Sequence, residues 1–171
     1  MTKAPAHFDQ QRTAFIHAMC GVAASVTVVT TNGKAGRRGA TVSAFCSVSA
    51  DPPTILVCLN KSSGIADAVA ENGLLNVNIL RNHQAMIARR FAGKNDGQLS
   101  DRFEKIDCGV SDIPEINGAM VLCCDTISLV SSTSHMMVIA HVTAVKNLHL
   151  EPLAYLNGDF HQLVPTKTDN D

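Results

Sequence analysis

The strongest constraint on the fold of this chain is a succession of strand patterns that no long helical pattern interrupts. The first, over residues 22–31, is rich in β-branched side chains and runs into Asn32-Gly33, a pair that favours a tight turn into a second strand. Parallel βαβ units need helices of about 10 to 15 residues between their strands. The succession therefore favours an antiparallel barrel or sandwich over a doubly wound parallel sheet.

Further strand patterns continue to the end of the chain. Residues 38–49 alternate, with Thr41, Ser43 and Ser47 on a small, hydroxyl-bearing face. The pair Pro52-Pro53 then stops the ladder because proline has no N–H to donate, and the apolar run 54–59 is typical of a strand buried on both faces. Similar patterns over residues 75–79, 119–130, 135–145 and 153–156 bring the expected total to six or seven strands.

Helical patterns are few and short. Residues 8–20 and 83–91 place apolar side chains at helical spacing, and Ser62 or Ser63 can cap a short helix that runs to residue 70. The polar stretch 94–112 is expected to be a loop. With 171 residues the chain is long enough to bury one hydrophobic core. We therefore predict one mainly β domain over residues 8–163 with loose termini over residues 1–7 and 164–171.

The charge balance excludes a general affinity for polyanions. Fourteen Lys and Arg residues against fifteen Asp and Glu residues give a net charge of −1, so no broad cationic field is available for nucleic acid or an anionic membrane. Any anion site must be local. The first ten residues include Lys3 and Asp9 and lack the apolar stretch of a signal peptide, so we expect a cytoplasmic protein whose six cysteines are thiols.

Two motifs that suggest chemistry have simpler explanations. Gly33, Gly36 and Gly39 resemble a phosphate-binding glycine loop, but a strand follows them where such a loop needs a helix, so we assign them to the hairpin. His135 and His141 lie on one face of one predicted strand, where six residues separate them by roughly 20 Å, too far to share a metal ion. We predict no metal site, a possible functional position for His135 and a structural one for His141.

Positive charge is nevertheless concentrated at two places. Arg89, Arg90 and Lys94 lie at the end of a predicted helix, and Lys61 precedes two serines at another junction between loop and helix. Ammonium and guanidinium groups, hydroxyls and N–H groups together bind phosphate, although a solvated helix end explains the first cluster equally well. The residues alone suggest a ligand that carries phosphate.

Seven collinear segments resemble the short-chain flavin reductase family, over about residues 10 to 163. They are Phe15-Ile16-His17-Ala18-Met19, residues 26–31, residues 39–49 with Asp51-Pro52-Pro53, residues 57–63, residues 76–80, residues 88–94, and His135 at the start of a late strand. The resemblance implies a Greek-key FMN-binding split β-barrel and an NAD(P)H-dependent flavin reductase, with FMN, or FAD, as flavin and NADH or NADPH as reductant.

The resemblance also implies roles for individual residues. The segment Thr41, Val42, Ser43, Ala44, Phe45 would run along the isoalloxazine ring. The ribityl chain and phosphate would be held by Asn60, Lys61, Ser62 and Ser63 together with Arg90, Phe91, Ala92, Gly93 and Lys94. His135 would orient the nicotinamide without transferring a proton. Hydride transfer needs no acid or base from the protein, which agrees with the absence of a G-x-S-x-G nucleophile motif.

Three functions remain open at this point. Within the family the chain is similar to reductase components of 4-hydroxyphenylacetate 3-monooxygenase systems, which implies supply of reduced flavin to a two-component monooxygenase. It is also similar to the flavoprotein that reduces cob(II)yrinic acid a,c-diamide in cobalamin synthesis. A flavin-binding protein without reductase activity is the third possibility. The family pattern and the apolar, edge-closing strands both favour a homodimer.

Overall fold

The computed structural model describes residues 6–93, 101–148 and 151–166. Its three helices are α1 (Ala6–Cys20), α2 (Ile65–Asn72) and α3 (Ala85–Phe91), and a 3₁₀ turn over Lys61–Ser63 precedes α2. The strands are β1 (Ala24–Ser25), β2 (Thr27–Thr31), β3 (Arg38–Val42), β4 (Phe45–Ala50), β5 (Pro53–Asn60), β6 (Leu74–Ile79), β7 (Met120–Ser131), β8 (His135–Lys146), β9 (Leu153–Leu156) and β10 (Asp159–Gln162).

The fold is a mainly β split barrel built on one large antiparallel sheet. Its seven strands follow the order β3-β2-β6-β7-β8-β5-β4, so that β3 and β4 occupy its two ends. Only Ser43 and Ala44 separate these two strands in the chain. Two residues cannot span an open sheet of seven strands about 4.8 Å apart, so the sheet must curl until its ends meet. We call this junction the seam. A second sheet, of order β1-β9-β10, packs beside it.

The seam corrects the prediction of one continuous strand over residues 38–49. The Phe45 N–H bonds back to the Ser43 carbonyl at 3.1 Å, and the chain then leaves β2 to pair β4 with β5. Side chains continue to alternate between the two faces of the sheet when the chain changes its pairing partner. The sequence pattern therefore does not reveal the end of β3 or the start of β4. The predicted strand over residues 22–31 is likewise two strands, because β1 pairs with β9 whereas β2 pairs with β3 and β6.

Two hydrophobic clusters form the core. The larger lies inside the curled sheet and includes Val57, Leu59 and Val77, while the smaller lies beneath α3 around Phe91 and Leu80. The prediction that residues 54–59 are buried on both faces is wrong, because residues of β5 alternate between buried and half-buried. The opposite face of this strand borders the cavity described below.

The helices agree with the prediction in place but differ at their ends. Helix α2 begins at Ile65 after Gly64, whose φ of +69° turns the chain out of the 3₁₀ turn. Neither Ser62 nor Ser63 caps it, since the Asn60 side chain accepts the Ser62 N–H instead. Helix α1 forms as expected, but its apolar side chains, such as Phe15, remain exposed in the single chain.

The last part of the chain contains more structure than its sequence indicates. Strand β10 was not predicted, and it closes a hairpin with β9. Within the predicted loop 94–112, residues 94–100 lie outside the described residues, while Phe103 is buried in the smaller cluster. None of the described helices has both the length and the apolar character needed to cross a bilayer.

Candidate functional site

The candidate site is a cavity at the seam of the barrel, with a volume of about 330 Å³. Ligand cavities in proteins commonly have about 300 to 1,000 Å³. We call it the seam cavity. Its walls are formed by Ala40, Thr41, Val42, Ser43, Ala44, Cys58, Asn60, Ser63, Ile65, Phe91, Ala92, Arg102 and His135.

One wall is the seam itself, where small side chains leave the backbone accessible. The Thr41 hydroxyl donates to the Ala88 carbonyl at 2.7 Å and thereby ties β3 to α3. On the other side of the seam, the Cys58 N–H donates to the Ala44 carbonyl at 2.9 Å and ties the chain to β5. These two bonds fix a shallow surface of threonine, serine and alanine side chains that a flat ligand can approach closely.

The second wall is the junction between β5 and the 3₁₀ turn. Asn60 accepts the N–H and the hydroxyl of Ser62 through Oδ1, each at 2.9 Å. The Ser63 hydroxyl donates to the Asn60 carbonyl at 2.6 Å. Asn60 and Ser63 therefore present amide and hydroxyl groups to the cavity from a turn that their own hydrogen bonds hold rigid.

The ammonium group of Lys61 is held away from this wall. Lys61 Nζ donates to Ser131 Oγ at 2.6 Å and also to the Ser132 carbonyl, both in the hairpin between β7 and β8. This contact fastens the 3₁₀ turn to the hairpin that carries His135. The sequence predicts an anion-binding group at Lys61, but the ammonium group of Lys61 has structural partners in the described chain.

Arg102 brings a permanent positive charge to the cavity wall, although no pattern in the sequence predicted it. Its Nη1 donates to the Gly39 carbonyl at 3.2 Å and to the Phe91 carbonyl at 3.1 Å, which bridges β3 and α3. Arg102 lies in a polar stretch without periodicity, so no pattern singled it out. One indication was present in the sequence, because Phe103 is an aromatic residue in this polar stretch. Its burial in the smaller core cluster holds the adjacent Arg102 in place.

Asp101 holds this arginine-bearing segment in place. Its Oδ1 accepts the Phe103 N–H at 3.0 Å, and its Oδ2 pairs with the Arg37 guanidinium. Burial alone raises the pKa of the Asp101 carboxyl, but the Phe103 N–H and the Arg37 charge outweigh that effect and lower the pKa below its ordinary value. The Arg37 Cζ atom also lies 4.6 Å from the centre of the Phe103 ring.

His135 opens β8 at the rim of the seam cavity. Its Nδ1 lies 2.8 Å from the Ser134 hydroxyl, a contact that fixes the orientation of the ring. His141, on the same strand, donates from Nδ1 to the Pro53 carbonyl at 2.9 Å and so has a structural partner. Within the described ranges, no three His, Cys, Asp or Glu side chains are placed to hold a metal ion.

The structure brings together most of the residues that the resemblance singled out. Thr41, Val42, Ser43, Ala44, Asn60, Ser63, Phe91, Ala92 and His135 all line the seam cavity. Phe45, Lys61, Ser62, Arg90 and Gly93 do not, although each adjoins a residue that does. Phe45 packs on the larger core cluster, and the Arg90 guanidinium donates to the Glu104 carbonyl. Lys94 lies outside the described residues.

Besides Arg102, three residues that line the cavity were not predicted from the sequence, because their side chains suggest no ligand-binding chemistry. Ala40 and Ile65 are apolar, and Cys58 is a half-buried thiol. Burial raises the pKa of the Cys58 thiol, and the nearby Cys46 adds to the shift. Cys58 is therefore in its neutral form at neutral pH and contributes shape and polarizability to the wall.

A second, smaller cavity of about 160 Å³ adjoins the first, and we call it the side cavity. It shares Thr41, Ser43 and Ala92 with the seam cavity. Its remaining walls are Val26, Ala88, Arg89, Tyr155, Gly158 and Phe160.

Sequence comparisons give the site a family context. A family model described as the flavin reductase like domain matches residues 19–164. The chain is 37% identical over 157 residues to the FMN reductase (NADH) RutF of Pseudomonas syringae pv. syringae, covering 91% of this chain and 88% of that one. It is also 37% identical over 160 residues to the 4-hydroxyphenylacetate 3-monooxygenase reductase component of Salmonella typhimurium, covering 90% and 92% of the two chains.

Solved structures agree with these matches. The flavin reductase PheA2 in its native state superposes with a TM-score of 0.80 at 28% identity, over 90% of this chain and 98% of that one. The NADH:FAD oxidoreductase SgcE6 of Streptomyces globisporus C-1027, in complex with NAD and FAD fragments, gives 0.82 at 27% identity, over 95% and 96%. With its seam cavity, its curled sheet and these matches along most of its length, the chain belongs to the flavin reductase like domain family.

Proposed function

We propose that this chain is an NAD(P)H-dependent flavin reductase, which transfers hydride from a nicotinamide to FMN or FAD and supplies the reduced flavin to a two-component monooxygenase. The observation that carries the proposal is the seam cavity, with its flat wall of small residues, its arginine and its histidine at the rim. Relatives named as an NADH-dependent FMN reductase and as a monooxygenase reductase component support both parts of the proposal.

The residues present fit a flavin. The cavity volume of about 330 Å³ lies within the range of ligand sites. Thr41, Ser43 and Ala44 place no bulky side chain in front of the backbone, so a flat ring system can lie against it. Protein donors at the polar edge of the ring would stabilise the negative charge that develops there as hydride arrives.

We assign the polar end of the cavity to the ribityl chain and phosphate. Asn60, Ser63 and Arg102 supply amide, hydroxyl and guanidinium groups on two facing segments, and charge-assisted hydrogen bonds are the strongest that phosphate accepts. Ser62, Phe91, Ala92 and Gly93 complete the proposed surface, while Lys61 and Arg90 add positive charge next to it. Lys94 lies outside the described residues and is assigned to the phosphate from the resemblance alone. The ring side of the proposed site is Thr41, Val42, Ser43, Ala44 and Phe45.

His135 is the residue we propose for the nicotinamide. It lies at the rim of the cavity, and Ser134 fixes its ring, so it can orient a second ligand over the first. A bound flavin supplies the hydride acceptor, and the nicotinamide supplies the hydride. The protein's own residues bind and orient the two partners and need transfer no proton.

The test of the proposed function uses the purified full chain. We expect it to turn yellow on addition of FMN and to lose its visible flavin absorbance when NADH or NADPH is added without oxygen. Protein that stays colourless with FMN would contradict the flavin site. Yellow protein that neither nucleotide bleaches would show a flavin carrier instead.

Turnover with different acceptors tests the monooxygenase role separately. We expect rapid reduction of free FMN or FAD and slow reduction of cob(II)yrinic acid a,c-diamide. A strong preference for the corrinoid would move the chain to cobalamin synthesis and contradict the supply of flavin to an oxygenase.

Replacement of the cationic residues tests where the phosphate lies. We expect Arg102→Ala to raise the Kd for FMN by about 5- to 150-fold, the equivalent of about 1–3 kcal/mol for a charge-assisted hydrogen bond. Smaller effects are expected for Lys61→Ala and Arg90→Ala, because neither side chain lines the seam cavity, whereas Arg102 does. Lys105→Ala, whose side chain is 85% exposed, is the control. Equal FMN affinity in all four variants would show that the phosphate lies elsewhere.

We also propose that the protein is a homodimer. Large apolar side chains are exposed on α1 and on the second half of β7, including Phe15, Ile127 and Val130. Apolar surface of this kind marks an interface with another chain. Val48 of β4 is exposed as well, so a second copy that covered it would bury further apolar surface.

The cytoplasm is the compartment we propose for this function. Reduction of flavin requires NADH or NADPH, and all six cysteines are thiols, as is usual in a reducing compartment. Fractionation of cells that make the full chain would test this, and recovery outside the cytoplasm would contradict it.

A further inference from the structure

The side cavity has no role in the function proposed so far. It has a volume of about 160 Å³, below the usual range for a complete ligand site. Because it shares Thr41, Ser43 and Ala92 with the seam cavity, one ligand can reach both. The side cavity is therefore suited to one ring of a larger ligand whose other half lies in the seam cavity.

The walls of the side cavity carry two aromatic rings and a guanidinium group. Tyr155 of β9 and Phe160 of β10 are paired residues of one hairpin, and their ring centres lie 5.4 Å apart at an angle of 60°. The guanidinium carbon of Arg89 lies 5.0 Å from the centre of the Phe160 ring. Aromatic rings and guanidinium planes are the groups on which proteins stack nucleobases.

Arg89 also adds a positive charge, which distinguishes ligands with a second phosphate from FMN. It lies at the last turn of α3, beside the shared residue Ala92. FMN ends at a single phosphate, whereas FAD and NADH continue through a second phosphate to adenosine. A cation and two aromatic rings next to the seam cavity match what an adenine dinucleotide has and FMN lacks.

We propose that the side cavity binds the adenosine half of an adenine dinucleotide, FAD or NADH, while the flavin or nicotinamide half lies in the seam cavity. Arg89, Tyr155 and Phe160 then determine specificity between dinucleotides and mononucleotides. The proposal rests on the function proposed above. FAD and NADH present the same adenosine group. The experiment distinguishes these two ligands by comparing each dinucleotide with its own mononucleotide.

The experiment compares Arg89→Ala and Tyr155→Leu with the unaltered full chain. Binding of FMN and of FAD is measured from flavin fluorescence, and KM is measured for NADH and for reduced nicotinamide mononucleotide. Lys34→Ala removes a charge from an exposed turn residue that lines neither cavity, and Met86→Ala truncates an exposed residue of α3. These two variants control for charge and for changes in the helix.

We expect both test variants to weaken binding of one dinucleotide by about 5- to 150-fold. Binding of the matching mononucleotide should change by less than about two-fold. Neither control variant should change the binding of any of these ligands. A changed ratio of FAD to FMN affinity identifies FAD as the occupant, and a changed ratio of KM for NADH and the mononucleotide identifies NADH. Both ratios unchanged in both variants, with FMN still bound, would overturn the proposal. Failure of the unaltered chain to bind any flavin would overturn the proposed function instead.

Discussion

At the residue scale, hydrogen bonds of the fold decide which charged side chains reach the seam cavity. Arg102 reaches it because the carbonyls of Gly39 and Phe91 accept its Nη1, whereas Lys61 is directed to the hairpin between β7 and β8. Both residues are cationic, and their hydrogen-bond partners determine where each charge lies. The net charge of −1 thus coexists with a positive charge at the wall of the seam cavity.

His135 provides the residue-scale prediction about catalysis. Replacement by alanine removes a ring at the cavity rim but none of the proposed phosphate contacts. We therefore expect His135→Ala to raise the KM for NADH or NADPH by about ten-fold or more and to leave the Kd for FMN nearly unchanged. His141→Ala, on the same strand but bonded to Pro53, is the control. Loss of FMN from His135→Ala would place this histidine at the flavin and contradict the assignment.

At the element scale, the position of α3 depends on close packing against β3. A Cβ atom on Gly39 would lie 2.6 Å from a ring carbon of Phe91 and 3.0 Å from Phe103. These rings pack edge to face with centres 4.9 Å apart, so neither can move freely. The absence of a side chain at residue 39 allows α3 and Arg102 to approach the seam.

Gly39→Ala tests this packing. We expect the free energy of unfolding to fall by about 1–3 kcal/mol, the usual cost of overpacking a core, as measured by urea denaturation. Gly21→Ala is the matched control, because its new Cβ would lie at an ordinary 3.4 Å from the Ala18 carbonyl oxygen. Equal loss of stability in the two variants would show that the contact with Phe91 is unimportant.

The segment that carries Arg102 should depend on pH through Asp101. Its carboxyl has a pKa lowered in the folded chain, so its charge stabilises the fold above the unfolded pKa of about 3.9, and this contribution is lost as the pH falls through the folded pKa. We expect Asp101→Asn to be less stable than the unaltered chain at neutral pH, and this difference to disappear as the pH falls through the folded pKa of Asp101. Glu71→Gln, at an exposed position of α2, is the control. A pH-independent difference would contradict the ion pair with Arg37.

The same elements show how far the sequence was informative. Periodicity located most strands and all three helices, because alternation and helical spacing are local properties. It did not reveal the seam at Ser43 and Ala44, since a change of pairing partner leaves alternation intact. Nor did it identify Arg102 or the hairpin of β9 and β10, because both depend on packing between distant parts of the chain.

At the scale of the whole molecule, the exposed apolar side chains predict association. Ile127 is 58% exposed in β7. A lysine there would have to be buried in an interface, so we expect Ile127→Lys to convert a dimer to a monomer in sedimentation experiments. Met86→Lys is the control, because Met86 is 75% exposed and belongs to α3, which carries none of the residues named for this surface. Monomeric unaltered protein would contradict the homodimer.

The seam joins two hairpins that can each form from local contacts. Strands β2 and β3 form one, and strands β4 and β5 form the other. Local pairings close with little loss of loop entropy, whereas bringing together the two ends of the large sheet requires contacts distant in sequence. We therefore expect the seam cavity to form only after these long-range contacts are made. On this expectation a newly made chain acquires its proposed ligand site late, and the appearance of ligand binding during refolding reports the closure of the barrel.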